Sequence, residues 1–325
     1  MRLLFEEDIR GLIGPREALA CVREAFAKLG RGEVALPGVI GFEIPEGRGE
    51  IHVKGAHLRG APFFSIKLAT GFYANAAKGM PVGGGLILVC DAATGFLSAV
   101  LFDNGFLTEL RTGAAGALAA DLLARRVLRR AGILGCGSQA RYQLEGLLGV
   151  RRPEHVAVWG PDGAKAVAYA REMSARHGVG VAAVATAREA VEGSDLVVTT
   201  TPAREPLVRA GWIAPGVHVT AVGSDGPDKQ ELDAAVLAKA DRVVADRLDQ
   251  CLRLGEIHHA VEAGLLAPGD VWELGEIAAG LKPGRQSDGE ITVADLTGVG
   301  IQDTAVAGFV AAEALHRGLG RTIEV

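Results

Sequence analysis

The run Ala131-Gly132-Ile133-Leu134-Gly135-Cys136-Gly137-Ser138-Gln139-Ala140 decides how the rest of the chain is read. Its first five residues have the length and apolar character of a short buried strand, and Ser138 to Leu148 reads as a helix. Between them lies the spacing G-x-G-x-x-A. In such a loop the first glycine permits a tight turn and the second lets backbone approach a pyrophosphate, while Ala140 keeps the helix close to the sheet. The helix start also offers unpaired N–H groups and the positive end of the peptide dipoles to a phosphate. Alone the pattern is weak, and its value depends on the flanking sequence.

That flanking sequence repeats strand and helix. His155 to Trp159 reads as a second strand and Asp162 to His177 as a second helix. Val179 to Val184, a short helix near Ala187, Asp195 to Thr199, Val217 to Val222 and Arg242 to Ala245 continue the alternation. Short apolar runs between helices specify a parallel sheet covered on both faces, a doubly wound Rossmann-type nucleotide domain. After Trp159 stands Gly160, where an acid usually bonds the adenosine ribose; Asp162 follows two residues later, with no adjacent arginine for a 2′-phosphate. NAD is the expected cofactor, with NADP left open. Its expected contacts include Gly135, Gly137, Ser138, Gln139, Ala140, Asp162, Thr200 and Val222.

The first 110 residues differ. A helix from Pro15 to Leu29 precedes strand-like pieces at Gly38 to Ile44, Glu50 to Val53, Phe63 to Thr70, Gly85 to Asp91 and Ala99 to Phe102. Strands grouped without helices between them indicate an α+β module. Thr108 to Val127 reads as a long helix, and Ile301 to Arg317 as another following a strand from Glu290 to Ala294. The expected division is an α+β substrate-binding and dimerisation domain, 1–118 with 304–325, and a dinucleotide-binding domain, 119–303. The fold class is α/β.

Composition limits the function classes. The 325 residues carry a net charge of -5, with 49% hydrophobic and 22% charged residues, so a sizeable core divided into two domains is expected. Basic residues are scattered, which argues against a nucleic-acid partner. The first residues place Glu6, Glu7 and Asp8 where a secretory signal needs its apolar core, and no run approaches the roughly 18 apolar residues of a membrane span. Cys21, Cys90, Cys136 and Cys251 lie far apart, as expected of free thiols in a cytoplasmic protein.

Three segments point to chemistry. Asn104 to Gly116 places Arg111, Thr108 and Thr112 at the start of a helix, with Gly113 and Gly116 allowing close approach of another backbone or a cofactor. Gly223 to Asp233 follows a sheet strand on its carboxyl side, where doubly wound folds bind ligands; the plainer alternative is an acidic turn capping the next helix. Lys67 stands in an apolar strand, which is expensive unless it is paired or functional. His258 and His259 have no zinc-ligand spacing and read as a helix face, and no G-x-S-x-G elbow is present. No metal site is expected.

Together these segments resemble the ornithine cyclodeaminase/μ-crystallin family over nearly the whole chain. The resemblance rests on Lys67, Leu107 to Ala115, the glycine loop from Gly135 to Gln139, Gly223 to Asp233, and the stretch Asp295-Leu-Thr297-Gly298 with Gln302-Asp303. It implies a homodimer built around the non-nucleotide domain, acting on a small amino or imino acid. It also implies that Lys67 and Arg111 bind the substrate carboxylate, and that Arg111 and Thr112 border the cofactor phosphates. Asp225 matches the family's catalytic acid, Lys229 would approach the cofactor, and Thr297 would lie near the nicotinamide.

The family's cyclodeaminases carry a further arginine near the first module's second strand. Pro37-Gly-Val-Ile-Gly-Phe42 has none here; Lys54, with His52 facing the same pocket, is expected to supply that cation, the plainer alternative being a solvated strand lysine. The leading expectation is ring-closing loss of ammonia from an L-amino acid, of the ornithine-to-proline type. The alternatives are an amino-acid dehydrogenase or imine reductase, and then a cofactor-binding protein without catalysis.

Overall fold

The computed structural model describes residues 1–324. From the N-terminus the chain forms β1 (Arg2–Phe5), α1 (Glu6–Arg10), α2 (Pro15–Gly30), β2 (Val34–Ala35), β3 (Ile40–Ile44), β4 (Gly49–Leu58), β5 (Phe63–Phe72), β6 (Gly83–Asp91), β7 (Leu97–Phe102) and α3 (Phe106–Leu123). Strands β3 to β7 pair as successive antiparallel neighbours, with Lys54 opposite Lys67 and Lys67 opposite Ile87. The strand expected from Glu50 to Val53 runs on to Leu58. Gly55 within it marks a close backbone approach, since a Cβ there would stand 2.9 Å from Ser65 O.

The chain continues through β8 (Arg130–Leu134), α4 (Ser138–Val150), β9 (His155–Trp159), α5 (Gly163–His177), β10 (Gly180–Ala183), α6 (Ala187–Val191), β11 (Leu196–Thr199) and β12 (His218–Ala221). Then come α7 (Ala234–Lys239), β13 (Arg242–Ala245), α8 (Leu248–Cys251), α9 (Gly255–Glu262), β14 (Val271–Glu273), α10 (Leu274–Ala278), β15 (Thr292–Asp295), α11 (Gly300–Arg317) and β16 (Arg321–Thr322). Contacts divide the chain into two compact units: Met1–Arg111 with the stretch from Val299, and Thr112–Gly298.

In the first unit the sheet runs β16-β1-β7-β6-β5-β4-β2, with β3 on β4. Helix α11 covers one face of β4 to β7. It buries Asp303, Val306, Ala307, Val310 and Ala314, a stripe at helical spacing. In the second unit the sheet order is β10-β9-β8-β11-β12-β15-β13-β14 and every pairing is parallel. Leu134, Val197, Val219, Val243 and Val293 from adjacent strands fill its core. The chain leaves β8 for β9 and returns at β11, so the loops after β8 and β11 flank the switch point where doubly wound folds bind ligands.

Two helix and strand ends depart from expectation for identifiable reasons. Helix α3 starts at Phe106 rather than Thr108, because the Asp103 carboxylate accepts from Leu107 N at 2.8 Å. It stops at Leu123 rather than Val127. Arg151 takes Asp121 O at 2.8 Å and Arg285 takes Leu123 O at 2.5 Å, which satisfies terminal carbonyls without another turn. The strand expected from Glu290 begins at Thr292, since Arg285 holds Glu290 O at 2.7 Å. None of the described helices is long and apolar enough to cross a membrane.

Candidate active site

The sequence-predicted residues fall into two groups, one in each unit. In the first unit Lys67 projects from β5 toward α11, whose Thr304 also bonds Ser65 Oγ at 2.7 Å and Ala56 O at 3.2 Å. Lys67 Nζ donates to Asp303 Oδ1 at 2.8 Å and to Thr108 Oγ1 at 3.2 Å. Arg111 Nε donates to the same Asp303 oxygen at 3.1 Å, and Arg111 Nη1 to Gln302 Oε1 at 2.7 Å. All four of Lys67, Arg111, Gln302 and Asp303 are buried. Two cations therefore share one carboxylate oxygen.

The electrostatics of this cluster follow from burial and charge. Burial pushes the Lys67 ammonium down to about 8; Asp303 opposes that shift, while Arg111 and Lys54 reinforce it. Burial alone would raise the Asp303 carboxyl, yet Arg111, Lys67 and Lys54 together hold it below its ordinary range. Lys54 stands opposite Lys67 in the ladder, and its charge acts on both members of the pair. His52, two residues back and opposite Ala69, shares that face of β4. Asp303 Oδ2 and Gln302 Nε2 are buried with no hydrogen-bond partner.

The second unit holds the glycine loop. Gly135 has φ +112°, and a Cβ there would collide with Thr200 Oγ1, so the turn requires glycine. Thr200 is itself fixed to Leu134 O through its N at 2.8 Å and its Oγ1 at 3.1 Å. Gly137 differs. Apart from its chain neighbours, a Cβ there would meet no atom of the described residues within 4 Å, so the chain's own packing does not demand a glycine. The space lies at the uncapped start of α4, beside exposed Ser138, and fits an approaching phosphate. Arg141, held by Glu172 at 2.6 Å, draws the Cys136 and Gly137 carbonyls to itself at 3.0 and 2.9 Å.

Around the loop, Ala140 is buried and its carbonyl accepts from Tyr169 Oη at 2.9 Å. Gln143 Nε2 links Gln139 Oε1 and Thr112 O, each at 2.9 Å. The backbone that approaches Gly113 is that of α4, whose Tyr142 O would lie 2.6 Å from an added Cβ. An acid cannot stand at Gly160 without displacing Cys136, whose Sγ would be 2.8 Å from the new Cβ. Asp162 caps α5, its Oδ1 accepting from Ala164 N at 3.0 Å and Lys165 N at 3.2 Å. Val222 is buried and its N bonds Thr199 O at 3.0 Å.

Asp225 is exposed, and Lys229 Nζ donates to its Oδ1 at 2.5 Å. Asp233, at the end of the same segment, caps α7 through Ala235 N at 3.0 Å, so the capping alternative describes that residue. Thr297 Oγ1 donates to Asp246 Oδ1 at 3.0 Å and accepts from Gln250 Nε2 at 2.9 Å.

What sequence reasoning missed is the role of the buried acids. Glu231 accepts from Thr199 Oγ1 at 2.7 Å, Thr201 N at 2.5 Å, Thr201 Oγ1 at 2.8 Å and Gly223 N at 2.8 Å. Burial pushes its carboxyl up to about 7 against those four donors. It ties the loop after β11 to the loop after β12. Asp303 was the findable one, being an acid on the apolar stripe of a helix, where an unpaired charge is not tolerated.

A sequence model of the ornithine cyclodeaminase/mu-crystallin family matches residues 2–318. An alanine dehydrogenase of Archaeoglobus fulgidus is 39% identical over 326 residues, covering 99% of this chain and 98% of the relative. Among solved structures, an archaeal alanine dehydrogenase dimer with bound NAD superposes with a TM-score of 0.94 at 38% identity, over 100% of this chain and 99% of that one. A Thermococcus litoralis Delta(1)-pyrroline-2-carboxylate reductase in complex with NADH and L-proline gives 0.94 at 35% identity, over 99% and 100%. A lysine cyclodeaminase recognising L-lysine, L-ornithine and L-2,4-diaminobutyric acid gives 0.86 at 29% identity, over 100% and 95%.

Proposed function

The chain belongs to the ornithine cyclodeaminase/mu-crystallin family, and from that premise we propose that it is a nicotinamide-dinucleotide-dependent enzyme acting at Cα of a small L-amino or imino acid. The observation that carries this reading is the convergence of buried Lys67 and Arg111 on one oxygen of Asp303. Two cations sharing one counter-charge suit a second carboxylate, that of the substrate, which charge-assisted hydrogen bonds would orient. Lys54 extends the positive face, with His52 beside it on the same face of β4. Gly135, Gly137, Ser138, Gln139 and Ala140 would hold the dinucleotide phosphates with Thr112, while Asp162, Thr200, Val222, Lys229 and Thr297 would complete the cofactor's surroundings. NAD is the expected form.

When bound, the nicotinamide supplies a hydride acceptor and donor for Cα. Asp225 moves protons at nitrogen: in the ring-closing version it takes one from the distal amine as that amine attacks the imine carbon, then assists the departing ammonia. With the hydride returned to Cα, the net change converts an ornithine-type diamino acid to a cyclic secondary amino acid of the proline type and ammonia. A specific observation favours a second reading, net oxidation or reduction without ring closure. Lys54 opposite Lys67 disfavours a substrate whose side chain ends in an ammonium. Purified protein incubated with NAD+ and either L-ornithine or L-alanine separates the two: ammonia without accumulating NADH means ring closure, and stoichiometric NADH means a dehydrogenase. Neither product from any amino acid with NAD+, together with no NADH consumption with any imino acid, would sink the enzyme reading.

A homodimer through the first unit's sheet is supported by its uncovered face. The ladder aligns Ile40, Val53, Leu68 and Leu86 in one row and Gly55, Ile66, Leu88 and Val100 in the next, opposite the face that carries Lys67. Ile40, Phe42, Ile66 and Leu68 are exposed there. Four separated thiols suit a reducing cytoplasm.

A further inference from the structure

Asp225 projects from the loop Gly223 to Leu232 with its carboxylate exposed, so packing does not hold it. Its position depends on how the loop backbone is fixed. Inside the loop Lys229 Nζ holds the Asp225 carboxylate at 2.5 Å, Lys229 N reaches Gly226 O at 3.3 Å, and Ser224 Oγ donates to Lys229 O at 2.6 Å. Outside it, Gln230 N reaches Ala203 O at 2.8 Å, Arg204 pairs with Asp228 at 2.8 Å, and Glu231 binds the Thr199 and Thr201 side chains, while one short helix, α9, supplies the bonds to the Pro227 and Lys229 carbonyls.

From α9, Glu256 accepts from Glu231 N at 2.8 Å and Leu232 N at 3.0 Å. His259 Nε2 reaches Lys229 O at 2.9 Å, and His258 Nε2 reaches Pro227 O at 3.0 Å. Carbonyl oxygens only accept, so both imidazoles carry a proton on Nε2. The rings lie 3.7 Å apart, centroid to centroid. The helix is anchored in turn, since Asp295 Oδ2 accepts from Glu256 N at 2.8 Å and Ile257 N at 2.9 Å. The histidine pair thus grips two carbonyls, one on each side of Asp228, and Glu256 holds the loop's exit.

We propose that His258 and His259 are positioning residues that fix the Asp225–Lys229 loop, acting through their Nε2–H bonds to Pro227 O and Lys229 O. The proposal rests on the reading of Asp225 as the proton-handling group. A side chain that only filled volume would need no N–H. That difference separates the two roles.

The experiment compares His259→Leu, which keeps bulk without a donor, with His259→Gln, which places an amide N–H at similar reach. In His259→Leu, amide exchange over residues 225–230 should accelerate and kcat should fall about 10–100-fold, as expected of a displaced catalytic group. The KM for the amino acid should stay within about twofold on the same ground. His259→Gln should restore both exchange and kcat. Unchanged exchange in His259→Leu, or equal loss in the Leu and Gln variants, overturns the proposal. Asp225→Asn run alongside separates this claim from the role of Asp225: full activity in that variant removes the role, and the exchange data alone then decide the brace. Nitrogen NMR of the wild-type imidazoles supplies a test that needs no variant to fold, because an Nδ1–H tautomer on either ring would end the proposal.

Discussion

Lys54 and Lys67 stand directly opposite each other in the β4–β5 ladder, two like charges on the face that α11 covers with Asp303. Like charges opposite each other in a sheet are destabilising. The arrangement therefore suits a site that receives an anion. Lys54→Met should raise the KM for the amino acid about 10–100-fold with a smaller effect on kcat, the range expected when a charged hydrogen bond is lost. Steady-state kinetics decide the matter, and an unaltered KM would remove Lys54 from the substrate's surroundings.

Lys67 must be protonated to bind a carboxylate, and burial brings its ammonium down to about 8. The kcat/KM profile reports groups of the free enzyme. It should fall above pH 8, about tenfold per pH unit once the lysine is neutral. Lys67→Arg keeps its charge to far higher pH and should abolish that alkaline limb, whatever it does to the maximal rate. A limb that persists near pH 8 in the arginine variant would assign it to another group.

Glu231 gives a prediction about stability. Burial lifts its carboxyl to about 7, above the ordinary value of 4.5, so the folded chain binds this proton more tightly than the unfolded chain. The resulting stabilisation is complete below the unfolded value and lost as pH rises through the folded one. Its size is on the order of 3 kcal/mol. Urea unfolding at pH 5 and pH 8 should show the wild type losing stability relative to Glu231→Gln as pH rises. Parallel pH dependences in the two proteins would contradict it.

The apolar outer face of the first unit predicts association. Leu68→Glu places a charge amid Ile40, Val53, Ile66 and Leu86 and should convert a dimer to a monomer in sedimentation experiments. The substituted side chain points away from Lys67, so the monomer should stay folded by circular dichroism. A wild-type monomer would refute the dimer directly.

The fold was legible where signals are local. The doubly wound sheet follows from apolar runs of strand length separated by helices, and the observed β9 and β13 match the expected residues from end to end. β4 extends to Leu58, beyond the expected Val53, because its pairing with β5 continues past Gly55, and that partner is not visible in local sequence. In the candidate site, the need for Lys67 to have a partner was readable, whereas the partner's identity was not. The four-fold bonded Glu231 and the histidine contacts to Pro227 and Lys229 were equally hidden, because in sequence they are an ordinary acid and an ordinary helix face.

By itself the sequence determined the glycine turn, the alternation of strands and helices, and the presence of a lysine that could not remain alone in an apolar strand. These depend on backbone geometry and hydrophobic period over a few residues. Tertiary structure alone decided that the partner is Asp303, 236 residues away, and that Arg111 shares the same oxygen. A charge pair of that separation forms only after strand register and helix packing bring distant chain segments together, and no local preference encodes which segments meet.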